Sequence, residues 1–206
     1  MCFTIIKNRK KEIIDFTRNN EIEGSITFLY KNNKKTVNCF VNGYCLTTKS
    51  AMSHHNLPEH KEVYIPILPL RNLILLEKKL YINPNQVDLA FSKDWLFMRM
   101  GLSLKMLDSC LNYLENRYSG RQKLNALQLT RNDVALFLTE YTTIDIESNM
   151  EDIDLTTLQK LHQKLSDAKQ YLLGLCGASG FINDGIIEMN YISRLIQDIY
   201  GGVTDG

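Results

Sequence analysis

The clearest periodicity lies toward the C-terminal end, where Leu158, Leu161, Leu165, Ala168, Leu172 and Leu175 recur at alternating spacings of three and four. Such a seam predicts a helix packed in a left-handed bundle. Asp152 or Asp154 is placed to cap its start, and Gly177 to end it. Trp95, Leu102, Met106, Cys110 and Leu114 share one face of a predicted helix from Asp88 to Arg117. Leu127, Val134, Leu138 and Tyr141 form the expected buried stripe of a second helix, Leu124 to Thr143. Ile186, Met189, Ile192 and Ile196 do the same for a last one, Gly185 to Ile199. Near the N-terminus, Ile13, Ile14 and Phe16 among many charges predict a short helix over Lys7 to Asn20. Between Gly24 and Pro84 the character changes to short runs of Val, Ile, Tyr, Thr and Phe separated by turn signals. Asn42-Gly43, flanked by apolar residues, is a hairpin signal because both residues tolerate positive φ. Four to six short antiparallel strands are expected there. The fold class is therefore α+β and mainly α: a short helix over 1–23, a reduced β domain over 24–86, and an antiparallel four-helix bundle over 87–206.

Composition narrows the field without naming a function. An apolar fraction of 44% and a charged fraction of 23% describe an ordinary globular chain. A net charge of +1 gives no electrostatic reason to expect nucleic acid or an anionic membrane. The five cysteines are odd in number, scattered and never in a CxxC pair. That argues against a disulfide framework or thiolate zinc site and for a reducing compartment. No signal-peptide pattern follows Met1, and Pro66, Pro69, Arg71 and Asn72 interrupt the longest apolar stretch, so a cytoplasmic location is expected. His54, His55 and His60 beside Glu59 form the one histidine cluster, read as a solvated loop in preference to a metal site. His162 lies off the leucine seam and reads as a surface residue. Glu147, Glu151, Asp152 and Asp154 suit helix capping and the helix dipole better than acid-base work. The small-residue stretch from Gly174 to Phe181 has two readings. Its bare amides suit the approach of a phosphate, and equally a helix C-cap with a tight interhelical turn, the simpler account.

That stretch resembles a motif of the acyl-CoA dehydrogenases, whose last long helix ends in Q-x-x-G-G-x-G-Y, followed by R-x-x-R-D and I-Y-E-G-T. Gly177, Ala178, Ser179, Gly180 and Phe181 are similar to G-G-x-G-Y, and Arg194 through Gln197 and Asp198 to R-x-x-R-D. Ile199, Tyr200, Gly201 and Gly202 resemble the I-Y element. Tyr113, Arg117, Leu124 and Gln128 keep the intervals of Y-A-x-x-R-x-x-F-G-x-P-L-x-x-x-Q. Lys7 to Ile22 resembles the segment leading into the family's β domain, and Val41 to Ala51 its N-G-x-K-x-W-I-T-N-A stretch.

The resemblance implies a shortened relative lacking the family's N-terminal helical domain, with a bundle like the family's C-terminal domain. It implies FAD, with Arg117 and Ser119 toward the phosphates across a subunit interface, Gly177 and Ala178 at the turn, and Thr47 and Thr48 near the flavin. Thr47 stands where the family has tryptophan, Gly174 where it has glutamine, and Gly120 where it has phenylalanine. The glutamate base of the family aligns with Gly201 in one group and Phe91 in another, and neither accepts a proton. Asp94 and Asp205 are the nearest carboxylates. Two expectations follow. One is an oxidoreductase acting on an acyl thioester of CoA or a carrier protein, completed by a partner subunit. The other is a non-catalytic member serving as an assembly subunit. Both imply a homodimer or higher oligomer through the bundle, or a full-length paralogue or acyl carrier protein as partner.

Overall fold

The structure is a computed structural model that describes residues 2–33, 39–53, 59–78, 88–150, 153–176 and 185–201. Over these it is mainly helical, with seven helices and a small antiparallel sheet. Helix α1 (Cys2–Asn19) is followed by α2 (Ile22–Asn32), strand β1 (Tyr44–Thr48), the short α3 (Lys49–Met52), β2 (Lys61–Val63) and β3 (Leu73–Glu77). Then come α4 (Leu89–Glu115), a two-residue ladder of β4 (Tyr118–Ser119) and β5 (Gln122–Lys123), α5 (Gln128–Glu147), α6 (Leu155–Cys176) and α7 (Ile186–Tyr200).

The region expected to be all strand differs in its first part. Gly24 to Tyr30 belongs to α2, because Ile22, Ile26 and Leu29 recur at helical spacing and are buried together, while Phe28 stacks on Phe16 of α1. Packing of one face against neighbours outweighs the strand preference of Ile, Thr, Phe and Tyr. What remains is a three-stranded sheet in the order β1-β3-β2, with Leu46 opposite Leu75 and Val63 also opposite Leu75. The Asn42-Gly43 turn is present, both residues at positive φ, with Val41 and Tyr44 exchanging hydrogen bonds of 2.9 Å. β3 is buried at Leu73, Ile74, Leu75 and Leu76 in succession, so it is covered on both faces.

β1 is an edge strand, and its outer edge is closed by two tyrosines. The Leu46 N–H donates to the Tyr200 hydroxyl (3.0 Å), and the Leu46 carbonyl accepts from the Tyr30 hydroxyl (2.9 Å). Side-chain hydroxyls thereby satisfy backbone groups that would otherwise invite another strand.

The helices share one core with the sheet. α1 runs alongside α4 in the same direction, with Arg9 meeting Asp94 near one end and Arg18 meeting Asp108 at the other. Lys10, almost fully buried, reaches the end of α5 at Asp145 and Ser148. α4 and α6 also run in the same direction, since Arg99 contacts His162 while Cys110 contacts Cys176. α7 returns antiparallel to both, with Gln197 reaching Gln163 and Ser193 reaching Lys169. Asp88 caps α4, and Asp154 caps α6 by accepting from the Thr157 N–H at 2.7 Å. The expected faces of α4 and α7 are buried, as is the α6 seam from Leu158 to Leu172. In α5 the stripe is shifted: Phe137 and Ile144 are buried, whereas Leu138 is exposed. An aromatic ring removes more apolar area than leucine, so Phe137 takes the inward position.

Candidate functional site

Two ends of α4 carry the residues singled out by resemblance, and the structure treats them differently. At the N-terminal end, Phe91, Trp95, Tyr30 and Tyr200 form a closed aromatic box. Trp95 stacks on Tyr200 with centroids 4.2 Å apart and planes 8° from parallel. Phe91 meets Trp95, Tyr200 and Tyr30 edge-on at 5.9, 6.0 and 5.7 Å. The box occupies the space between β1, α4 and α7, and Phe91 is 3% exposed. Thr47 and Thr48 lie on β1 beside it and are both buried. The Thr48 hydroxyl accepts from Ala51 to cap α3 and bonds the Thr27 hydroxyl at 2.9 Å, so it is committed inside the protein.

The carboxylate of Asp94 and the glycine at 201 are equally engaged. Asp94 is buried and held bidentately by Arg9. Burial pushes its carboxyl above the usual range, with Arg9 pulling the other way. Gly201 ends α7 against the interior: a Cβ there would sit 2.6 Å from the Gln197 carbonyl and 3.1 Å from the His162 ring. A glutamate at that position would require the backbone to move. Phe91 and Gly201, the two positions at which the resemblance looks for a base, are thus both packed into the interior, and the Asp94 carboxylate is committed to Arg9.

The C-terminal end of α4 is open. Arg117 is exposed, with its guanidinium over the Tyr113 ring at 4.4 Å. Its carbonyl accepts from the Leu124 N–H at 2.9 Å, fixing the chain reversal into α5. Ser119 lies in the adjacent two-residue ladder and is exposed. An exposed guanidinium of this kind offers paired donors in a fixed fork. Trp95 and Glu115 are separated by about 30 Å of helix. The Thr47–Thr48 pair and Arg117 thus stand at opposite ends of one long helix. Gly177, Ala178, the rest of the turn through Phe181, Gly202, Asp205, Glu151, Asp152, His54 and His55 lie outside the described residues.

A polar cluster that the sequence reading missed lies between α4, α6 and α7. His162 is fully buried and is not a surface residue. Arg99 Nη1 donates to the His162 carbonyl at 2.9 Å and lies 2.7 Å from its Nδ1. Arg99 also donates to Ser166 (2.6 Å), Ser193 (3.1 Å) and Gln197 (3.2 Å). Lys169 donates to the same Ser193 hydroxyl at 2.7 Å. Burial pushes the Arg99 guanidinium down to about 9, so it stays charged at neutral pH. Burial and the neighbouring Arg99 hold both His162 and Lys169 well below their ordinary values. Residues 162, 166 and 169 repeat at helical spacing beside the leucine seam, which was the available signal. Such a stripe reads as solvated unless a third helix covers it, as α7 does here.

Among the described residues, no group of three or more His, Cys, Asp or Glu is arranged to hold a metal ion. His60 is exposed, Glu147 pairs with Lys164 at 2.7 Å, and no described helix is long and apolar enough to cross a membrane. No protein-family model matches the chain, and no curated protein matches its sequence.

Proposed function

We propose that the chain is a non-catalytic, acyl-CoA dehydrogenase-like subunit that assembles with a flavin-bearing partner of the same kind and extends Arg117 toward that partner's FAD. In this reading α4 to α7 correspond to the family's C-terminal bundle, and the work is done in a reducing, cytoplasmic setting. The observation that carries it is the asymmetry of α4. The aromatic box fills the end where chemistry would take place, whereas the phosphate-suited arginine at the far end is exposed. The outer face of α5, which follows Arg117 through the Leu124–Ala126 turn, supplies an assembly surface: Leu129 is 73% and Ile146 65% exposed.

The test compares the purified chain alone with the complex isolated from its native source. The chain alone is expected to be colourless after incubation with FAD and to show no anaerobic reaction with an acyl-CoA. The native complex is expected to carry flavin, and Arg117→Ala to weaken that retention while leaving the helical circular dichroism unchanged. Positioned general-base catalysis contributes roughly a hundred- to ten-thousand-fold, so its absence is easily read. A yellow isolated chain bleached by an acyl-CoA would replace this reading with the catalytic one.

A further inference from the structure

Four of the five cysteines come together in two pairs, although their spacing in the sequence gave no sign of it. Cys39 lies beside the Cys45 thiol, which also meets the Tyr30 hydroxyl at 3.1 Å. Cys110 and Cys176 are the more closely set pair. They face each other from α4 and α6 with Sγ atoms 2.8 Å apart, and both are buried. Their approach is fixed by the helices. The same-direction packing of α4 and α6 is locked one end by Arg99 against His162 and Ser166, and Cys110 Sγ also reaches the Leu172 carbonyl at 3.5 Å.

We propose that Cys110 and Cys176 are a redox-active dithiol that closes into an intramolecular disulfide, with a small-molecule disulfide such as oxidised glutathione as the oxidant. The sulfurs need to approach by only about 0.8 Å to reach the ~2.05 Å bond length. The two thiols are unequal. The hydrogen bond from Cys110 favours the Cys176 thiolate, while the same contact and burial push Cys110 up. Cys176, the last residue of α6, is 3% exposed, whereas Cys110 inside α4 is 0% exposed, so Cys176 is the sulfur nearer to a small molecule in solution. Cys176 is therefore the attacking sulfur. Its thiolate bonds one sulfur of the small disulfide and expels the first thiolate. Cys110 then loses its proton, attacks Cys176 Sγ and expels the second. Two protein thiols are oxidised to one disulfide, and one small disulfide is reduced to two thiols.

The bond would close a loop between residues 66 apart, tying the Arg117 reversal, α5 and α6 to the core. The full chain is treated with oxidised glutathione under native conditions, its free thiols are alkylated, and the digest is read by mass spectrometry. The expected result is a reducible link between the Cys110 and Cys176 peptides and a Tm higher by roughly 10 °C than in the reduced protein. Cys176→Ala should abolish both the link and the rise, and Cys39→Ala should leave both. Should Cys176→Ala fail to fold, Cys110→Ser takes its place. Recovery of Cys110 and Cys176 as separate alkylated or glutathione-bearing peptides would overturn the proposal. So would a Tm rise that survives loss of either cysteine.

Discussion

His162 is an imidazole buried beside the Arg99 guanidinium and the Lys169 amine, and that setting has a measurable consequence. Burial, then Arg99 and Lys169, hold its pKa well below the ordinary value, so the native ring stays neutral. An unfolded histidine takes up a proton near pH 6.5. Below that value the unfolded chain binds more protons than the native one. Stability therefore falls as the pH drops, by up to about 1.4 kcal/mol per pH unit. Between pH 7 and 5, urea denaturation of the wild type should show a loss on the order of 2 kcal/mol from this group. His162→Asn, which can still accept from Arg99, should lack that component. Equal slopes in both proteins would show that His162 does not carry it. The cluster was hard to read in sequence for a physical reason. His162, Ser166 and Lys169 are polar, and only the third-helix cover from α7 turns their stripe inward. Arg117 and Ser119, by contrast, are placed by motif spacing alone, and nothing in composition told which end of α4 would be open.

At the scale of elements, the contact between α1 and α4 turns on one small residue. A Cβ on Gly101 would lie 2.7 Å from the Ile14 carbonyl oxygen and 2.7 Å from Thr17 Cβ. Backbone cannot retreat as a flexible side chain does, and overpacking typically costs about 1–3 kcal/mol. A glycine-to-alanine change inside a helix gains roughly 1 kcal/mol of propensity. Gly101→Ala should therefore be neutral to destabilising by about 2 kcal/mol. Gly24→Ala in α2, where nothing lies within 4 Å of the new methyl, should stabilise by up to about 1 kcal/mol. Thermal unfolding of the two variants decides it, and a stabilised Gly101→Ala would mean that the helices separate freely. The same elements show what periodicity can and cannot deliver. α4, α6 and α7 were legible because each keeps one apolar face over many turns. α2 was not, because its eleven residues are rich in Ile, Thr, Phe and Tyr and its helical repeat is only two turns long. The register of α5 was misjudged because Leu136, Phe137 and Leu138 are adjacent, and apolarity alone does not choose among them.

At the scale of the whole molecule, the outer face of α5 is an exposed surface short of charge. Between Asn132 and Ile146, Glu140 is the one charged residue among the exposed positions. Thr139, Thr142 and Thr143 turn their hydroxyls back onto helix carbonyls at 2.9, 2.7 and 3.0 Å, which leaves their methyl groups outward. Together with Leu129, Leu136, Leu138 and Ile146 they present a more apolar strip than the sequence suggests. A net charge of +1 does little to keep copies apart. Without its proposed partner, the chain should therefore close this face on a second copy. Sedimentation at micromolar concentration should give a dimer or larger species. Leu138→Asp combined with Ile146→Asp should shift the chain to monomer. Exposed substitutions of this kind usually change stability by less than about 0.5 kcal/mol, so Tm and circular dichroism serve as controls for intact folding. A wild type that sediments as monomer, or a double variant that stays associated with its fold intact, would rule out α5 as the assembly surface and leave Arg117 without a route to a partner's cofactor.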